Sequence, residues 1–179
     1  VFAKKHEIAQ TMAEHFRKKR IHKIYSAILN RHLPNNSEHE NTEAYISLPI
    51  CQDVKSEIRI KQSVNFQGKP CQTHFREIEK MGDYSLVEVR PLTGRTHQIR
   101  VHAAHMGCAI VGDKLYGLPN DGFINWLSEG DDYLRAHNFP LHRQLLHALE
   151  IRFPHPVTNE ETVIRAEENN LLTELNQTL

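Results

Sequence analysis

Arg90-Pro-Leu-Thr-Gly-Arg95-Thr-His-Gln-Ile-Arg100-Val-His102 is the stretch on which the fold reading turns. It reads as the end of a strand, a tight turn and the start of a helix. Pro91 and Gly94 supply the turn. Thr96 is placed to cap a helix running to about Met106, and Gly107 is its stop. Gly94 permits close approach of a ligand to the backbone, and a helix start offers free N–H groups to anions. Arg95 stands at that positive end. Arg100 lies about one turn further, on a face shared with His97 and Ala104. Arginines in this frame can hold a phosphate or a carboxylate in bidentate fashion. They can equally make ordinary surface ion pairs, and the residues alone leave both readings open.

Working outward, residues 72–79 and 84–90 predict a hairpin with Met81-Gly82-Asp83 at its tip. Toward the start, Ile8, Ala9, Met12, Ala13 and Phe16 recur at helical spacing, so residues 5–19 predict a helix with that stripe buried. Residues 22–29 read as a strand and 34–41 as a polar loop. Further strands are expected around Leu48-Pro49-Ile50 and Ile58-Arg59-Ile60. Downstream, 110–117 reads as a short strand and turn. Residues 118–140 read as an inserted loop or short helix anchored by the lone Trp126. Residues 144–153 predict a buried strand and 161–165 a last short one. Strands in hairpin order with a few helices give an α+β class: a mixed, mainly antiparallel central sheet flanked by helices and loops. The expected organisation is one domain over 1–166 and a polar, frayed tail over 167–179.

The 179 residues are 39% hydrophobic and 25% charged, which suits a chain with a real core. No run approaches the roughly 18 apolar residues of a membrane span. Cys51, Cys71 and Cys108 stand far apart, which argues against a disulfide framework and suits a reducing, cytoplasmic setting. The net charge of zero hides a gradient. Residues 1–31 carry eight Lys/Arg against two Glu, and residues 150–179 carry six Glu against two Arg. Residues 90–105 hold three Arg and no acid. Such asymmetry suits a polyanion-facing side, although basic helix faces are commonly just solvated. Thirteen histidines invite a metal reading. His102 and His105 are three apart and His97 and His102 five apart, so neither pair makes a zinc-binding helix face, and no metal is expected.

Leu92-Thr-Gly-Arg-Thr-His-Gln-Ile-Arg-Val-His102 resembles the third motif of the RluA family of RNA pseudouridine synthases. Gly107-Cys-Ala-Ile-Val-Gly-Asp-Lys-Leu-Tyr-Gly117 is similar to that family's Gly-x-Pro-Ile-x-Gly-Asp-x-x-Tyr-Gly segment, with Ala109 in place of Pro. Arg143-Gln-Leu-Leu-His-Ala148 and Phe153-Pro-His-Pro156 resemble its C-terminal signature, with Asn159 where Gly is common. Val1-Phe-Ala-Lys4 and Lys23-Ile-Tyr-Ser-Ala27 resemble the stretch after the catalytic motif and the tyrosine-bearing strand. The family's catalytic Asp lies in a His-Arg-Leu-Asp-x-x-Thr-Ser-Gly motif that this sequence does not contain. Val1 to Lys4 reads as the last residues of a strand, so the expectation is a catalytic domain lacking its leading part.

The resemblance implies isomerisation of specific uridines in ribosomal RNA, transfer RNA or both, by base flipping and without cofactor. It maps the family tyrosine to Tyr25, stacked on the flipped base. It maps the family arginine to Arg100, paired with the absent Asp. Arg95, Thr96, His97, Gln98, Lys18, Lys19, Arg20 and Lys23 are the expected RNA contacts. Asp113 is read as structural, fixing the turn before Tyr116, and His97 and His102 as packing groups more than catalytic ones. The implied partner is RNA, the expected assembly a monomer. Two rival readings are a catalytically inactive RNA-binding module with the same fold and, more distantly, a metal-dependent hydrolase using the histidines.

Overall fold

The hairpin expected around Gly82 is the spine of the molecule. It is built from β5 (Thr73–Met81) and β6 (Tyr84–Pro91), paired from Met81 opposite Tyr84 to Thr73 opposite Pro91. The computed structural model describes residues 2–34, 42–119, 121–139, 143–167 and 171–176. Strand β1 (His22–Leu29) lies antiparallel against β6, with Tyr25 opposite Val89 and Ala27 opposite Val87. Strands β2 (Glu43–Ile46), β7 (Leu146–Pro154) and β8 (Glu161–Arg165) complete an antiparallel sheet of order β2-β5-β6-β1-β7-β8. A separate two-stranded ribbon joins β3 (Ile50–Gln52) to β4 (Gln62–Val64). The six helices among the described residues are α1 (His6–Arg17), α2 (Gln98–His105), α3 (Lys114–Gly117), α4 (Gly122–Glu129), α5 (Asp131–Ala136) and α6 (Leu171–Asn176).

Strand alternation divides the core in two. Ala27, Leu29, Phe75, Val87 and Val89 are fully buried on one face, where Ile99 and Ala103 of α2 and the following Cys108 and Ile110 cover them. Removing each large side chain from water stabilises the fold by about 1.5–3 kcal/mol. Ile28 points to the opposite face and packs with Val111, Leu145, Leu171 and Leu175. Tyr25 shares the period-two register of Ala27 and Leu29, so it lies on the α2 side. A register shift between Ile24 and Tyr25 against β7 marks a bulge there. Bulges re-aim a side chain and are common beside functional sites.

Several expectations need correction. In α1 the face turned inward is Ile8, Met12 and His15, while Ala9, Ala13 and Phe16 are exposed. A seven-residue step from Ile8 to His15 continues the buried stripe, and the polar identity of His15 hid it. Ile58 to Ile60 form a turn, not a strand. Lys55 N–H bonds the Asp53 carboxylate and Lys61 N–H bonds Ile58 O, which tightens the β3–β4 connection. Ile110 makes only an isolated bridge to Leu29, and the residues after it form α3. Residues 118–140 contain two short helices; Trp126 packs there with Leu118, Tyr133, Leu134 and Phe139. Strand β7 is only partly buried, since beyond it lies just the edge strand β8.

The tail differs most. Leu171 and Leu175, four residues apart, carry α6 onto the sheet and are each 2% exposed. The polar average of the segment concealed that pair. Arg143 also pairs with Glu174 of this helix. Phe2 and Ala3 are not in a strand, and Phe2 is exposed. Val1, residues 35–41 of the expected polar loop, and 168–170 and 177–179 of the expected tail lie outside the described residues.

Candidate active site

Pro91 ends β6, and Leu92 N–H returns to Gln72 O, so the chain turns sharply over the end of β5. Gln98 holds that turn. Its amide nitrogen donates to Gln72 O at 2.8 Å and Thr73 Oγ1 at 2.9 Å. Its amide oxygen accepts from Arg95 N–H at 3.0 Å and the Thr93 hydroxyl at 2.7 Å. All four of its hydrogen-bonding positions are thus occupied by protein. Gln98 is buried and is a clamp for the turn. Thr96 is exposed and does not cap the helix. The cap position is His97, with φ +55°, a left-handed conformation that an L-residue holds only where its surroundings fix it.

From Gln98 a relay runs into the core. The Thr73 hydroxyl bonds His102 Nδ1 at 2.8 Å, and His102 Nε2 donates to Leu48 O at 3.0 Å. Since Thr73 Oγ1 accepts from Gln98, its proton goes to Nδ1, and His102 is the neutral Nε2–H tautomer. Burial holds its pKa below the usual histidine value, although the bond to Leu48 O opposes this. His102 is a packing group, as expected.

The second arginine sits on the open side of the same helix. Arg100 Nε and Nη2 each reach one oxygen of Asp113 at 2.7 Å. Asp113 is fully buried and accepts also from Leu115 and Tyr116 N–H, capping α3. Gly112 makes this geometry possible: its φ is +76°, and a Cβ there would lie 1.9 Å from Arg143 O. The Tyr116 ring lies under the Arg100 guanidinium, 4.9 Å from centroid to Cζ. The Tyr116 hydroxyl accepts from Gln62 N–H and bonds His97 Nδ1 at 2.9 Å. Burial pushes the Tyr116 pKa up to about 12, so it keeps its proton and donates it to His97. Burial, and then the Arg100 charge, push the His97 pKa down, so His97 is neutral at pH 7.

Lys23, Tyr25, Arg95, His97, Gln98, Arg100 and Leu146 line one cavity of about 180 Å³ under the Thr93-Gly94 turn. Its lining holds three cationic side chains and no carboxylate among the described residues. Lys23 Nζ lies 3.4 Å from Thr93 O, and burial lowers its pKa. Of the remaining expected contacts, Lys19 lines a groove beside the cavity. Arg20 faces a separate surface hollow with His22 and Phe153. Lys18 pairs with Glu14 at 2.6 Å. The Asp113 side chain, read as fixing a turn, also holds Arg100; nothing in the thirteen-residue spacing between them signalled that second role.

A family profile described as RNA pseudouridylate synthase matches residues 1–105. The chain belongs to the RNA pseudouridylate synthase family. Within that family it is 35% identical over 177 residues to ribosomal large subunit pseudouridine synthase C of Vibrio vulnificus, covering 99% of this chain and 50% of the relative. Synthase D of the same organism is 38% identical over 121 residues, 68% of this chain and 36% of the relative. The resemblance to the RluA family is therefore borne out. The human RNA pseudouridylate synthase domain-containing protein 1 has the same fold, with a TM-score of 0.68 and 27% identity, covering 93% of this chain and 62% of that one. The chain spans about half the length of the curated relatives it matches. No helix among the described residues is long and apolar enough to cross a membrane, and no group of three or more metal-binding side chains occurs among them.

Proposed function

We propose that this chain is the uridine-receiving part of an RNA pseudouridine synthase acting on ribosomal RNA, with transfer RNA a second substrate class. The observation that carries the reading is that Tyr25 from β1 and Arg100 from α2 line one cavity. In the proposed reaction the N1–C1′ bond of a uridine breaks and a C5–C1′ bond forms; the proton leaves C5 and N1 gains one. No redox change and no cofactor is involved. The target base must first leave its stack, which costs a few kcal/mol. Tyr25 offers its ring as the stacking surface that offsets this and its hydroxyl for proton movement. Arg95 and Lys23 hold flanking phosphates.

The sugar-attacking group or base is a carboxylate. Asp113 is unsuited to that work, since both of its oxygens are engaged by Arg100 and two backbone N–H groups. The reading therefore requires an Asp from polypeptide outside these 179 residues. The edge of Arg100 not used by Asp113, with its remaining N–H donors, would receive it and keep it ionised, as a cation within hydrogen-bond reach lowers a carboxylate pKa by about 1–3 units. Residues 1–166 form the catalytic unit in this reading. The protein works as a monomer in the cytoplasm.

A second reading, an RNA-binding module without catalysis, is favoured by the same absence of a carboxylate from the described cavity lining. Tritium release from RNA carrying 5-tritiated uridine separates the two. The full-length gene product should release tritium from ribosomal RNA transcripts, and the 179-residue chain alone should not. Specific RNA binding by the full-length product with no release of tritium would favour the binder.

A further inference from the structure

Next to the cavity lies a second concavity of about 610 Å³, lined by Phe16, Arg17, Lys19, Ile21, Lys23 and the 91–95 turn. Lys23, Pro91, Thr93, Gly94 and Arg95 line both, so the two adjoin. Its lining holds four cationic side chains and no acid among the described residues. Lys19, Lys23 and Arg95 make no ion pair among those residues. Phe16 and Leu92, about half exposed, present apolar surface in the same groove. Helix α1 turns its other face to the core, so Phe16 is not spent on packing.

One further observation concerns Lys19. Helix α1 ends with Arg20 N–H on His15 O and Lys19 N–H on Phe16 O, a pattern that places its left-handed residue at Lys19, with φ +56°. Glycine is the residue that this backbone favours. A lysine there accepts strain and delivers a cation to the groove.

We propose that this groove is a subsite for a nucleotide flanking the target uridine. Its base rests against Phe16 and Leu92, and its phosphate bridges Lys19 and Arg95. Aromatic surface interleaved with cations is the recognition mode of single-stranded nucleic acid, where bases stack without sequence demand while the backbone is neutralised. The inference rests on the RNA reading above and adds to it the path of the strand.

The test is fluorescence anisotropy of fluorescein-labelled (rU)12 on the full-length gene product across a salt series, with melting temperatures taken in parallel. Phe16→Ala should weaken binding about fivefold or more with the salt slope and melting temperature unchanged. Lys19→Gly should raise the melting temperature, weaken binding and lower the log–log salt slope by about 0.7. If the parent binds, and Arg95→Gln weakens it, while both groove variants retain parental affinity, the subsite is wrong and the RNA reading stands. A fall in melting temperature for Phe16→Ala at unchanged affinity would mean that polypeptide covers the groove, and overturns the subsite as well. Failure of the parent to bind (rU)12 at low salt would remove the RNA reading itself.

Discussion

Arg100 meets Asp113 edge-on, with two hydrogen bonds of 2.7 Å, and Asp113 is shut away from solvent. The arginine that faces the cavity is therefore aimed from behind by a buried carboxylate. Removing one partner of a buried pair strands the other charge, at about 3–5 kcal/mol. Asp113→Ala should lose roughly that much in urea unfolding. Asp113→Asn should lose less, because Asn still accepts the Leu115 and Tyr116 N–H bonds as a helix cap. Equal losses in the two variants would show that the cap contributes little.

Tyr116 holds the other side of the same guanidinium. Tyr116→Phe keeps the ring under Arg100 and removes the bonds to His97 and Gln62. The expected outcome is a loss of about 1 kcal/mol, since two part-buried polar groups lose their partner. Thermal or urea melts check it.

The Gln98–Thr73–His102 relay is open to the same accounting. Thr73→Val leaves His102 Nδ1 and one Gln98 donor unanswered in the core. A destabilisation of about 1–3 kcal/mol per orphaned group is expected. An unchanged urea midpoint would mean that water enters to replace the hydroxyl.

His97 and His102 set a pH dependence whose sign is fixed. Both have folded pKa values held below the unfolded value of about 6.5. The unfolded chain then binds more protons at acid pH, so these two groups make stability fall as pH drops below about 6.5 and leave it flat above. Urea midpoints between pH 5 and 8 should show that slope, and His102→Gln should reduce it.

How much of this was legible in the sequence depends on the range of the interaction. β1, the β5–β6 hairpin and β8 were readable because alternation and turn residues are local signals. Gly107 as the stop of α2 was readable for the same reason, and it does take a positive φ. The Thr96 cap failed because the helix starts one residue later, with His97 at the cap position in a left-handed conformation and Gln98 N–H bonded to Arg95 O. Helix α6 was missed because only Leu171, Leu172 and Leu175 mark it in a polar stretch, and their burial depends on a sheet face formed far away in sequence. Of the site, Tyr25 and Arg100 were named through the resemblance, and the cavity that both line is a tertiary fact. The clamp that Gln98 makes was not legible because its four protein partners come from two separate segments.

Gly112 is a position where backbone geometry alone forbids a side chain. Gly112→Ala would drive a Cβ into Arg143 O, which lies 1.9 Å from its ideal place, at a positive φ besides. Loss of soluble expression, or a fall in stability beyond that of Asp113→Ala, is expected. A folded Gly112→Ala protein with parental melting temperature would show that the Arg143 segment can move away.

The central claim is that Tyr25 and Arg100 act on one uridine in one cavity. Its most direct test is single-turnover tritium release by the full-length gene product carrying Tyr25→Ala, Arg100→Lys or both, with RNA affinity and melting temperature measured alongside; Lys keeps a cation beside the buried Asp113. The expected result is a loss of turnover in each single variant at nearly unchanged affinity, and a double variant scarcely worse than either, as for groups that act as a unit. Parental turnover by Tyr25→Ala, or losses that simply multiply in the double variant, would contradict it.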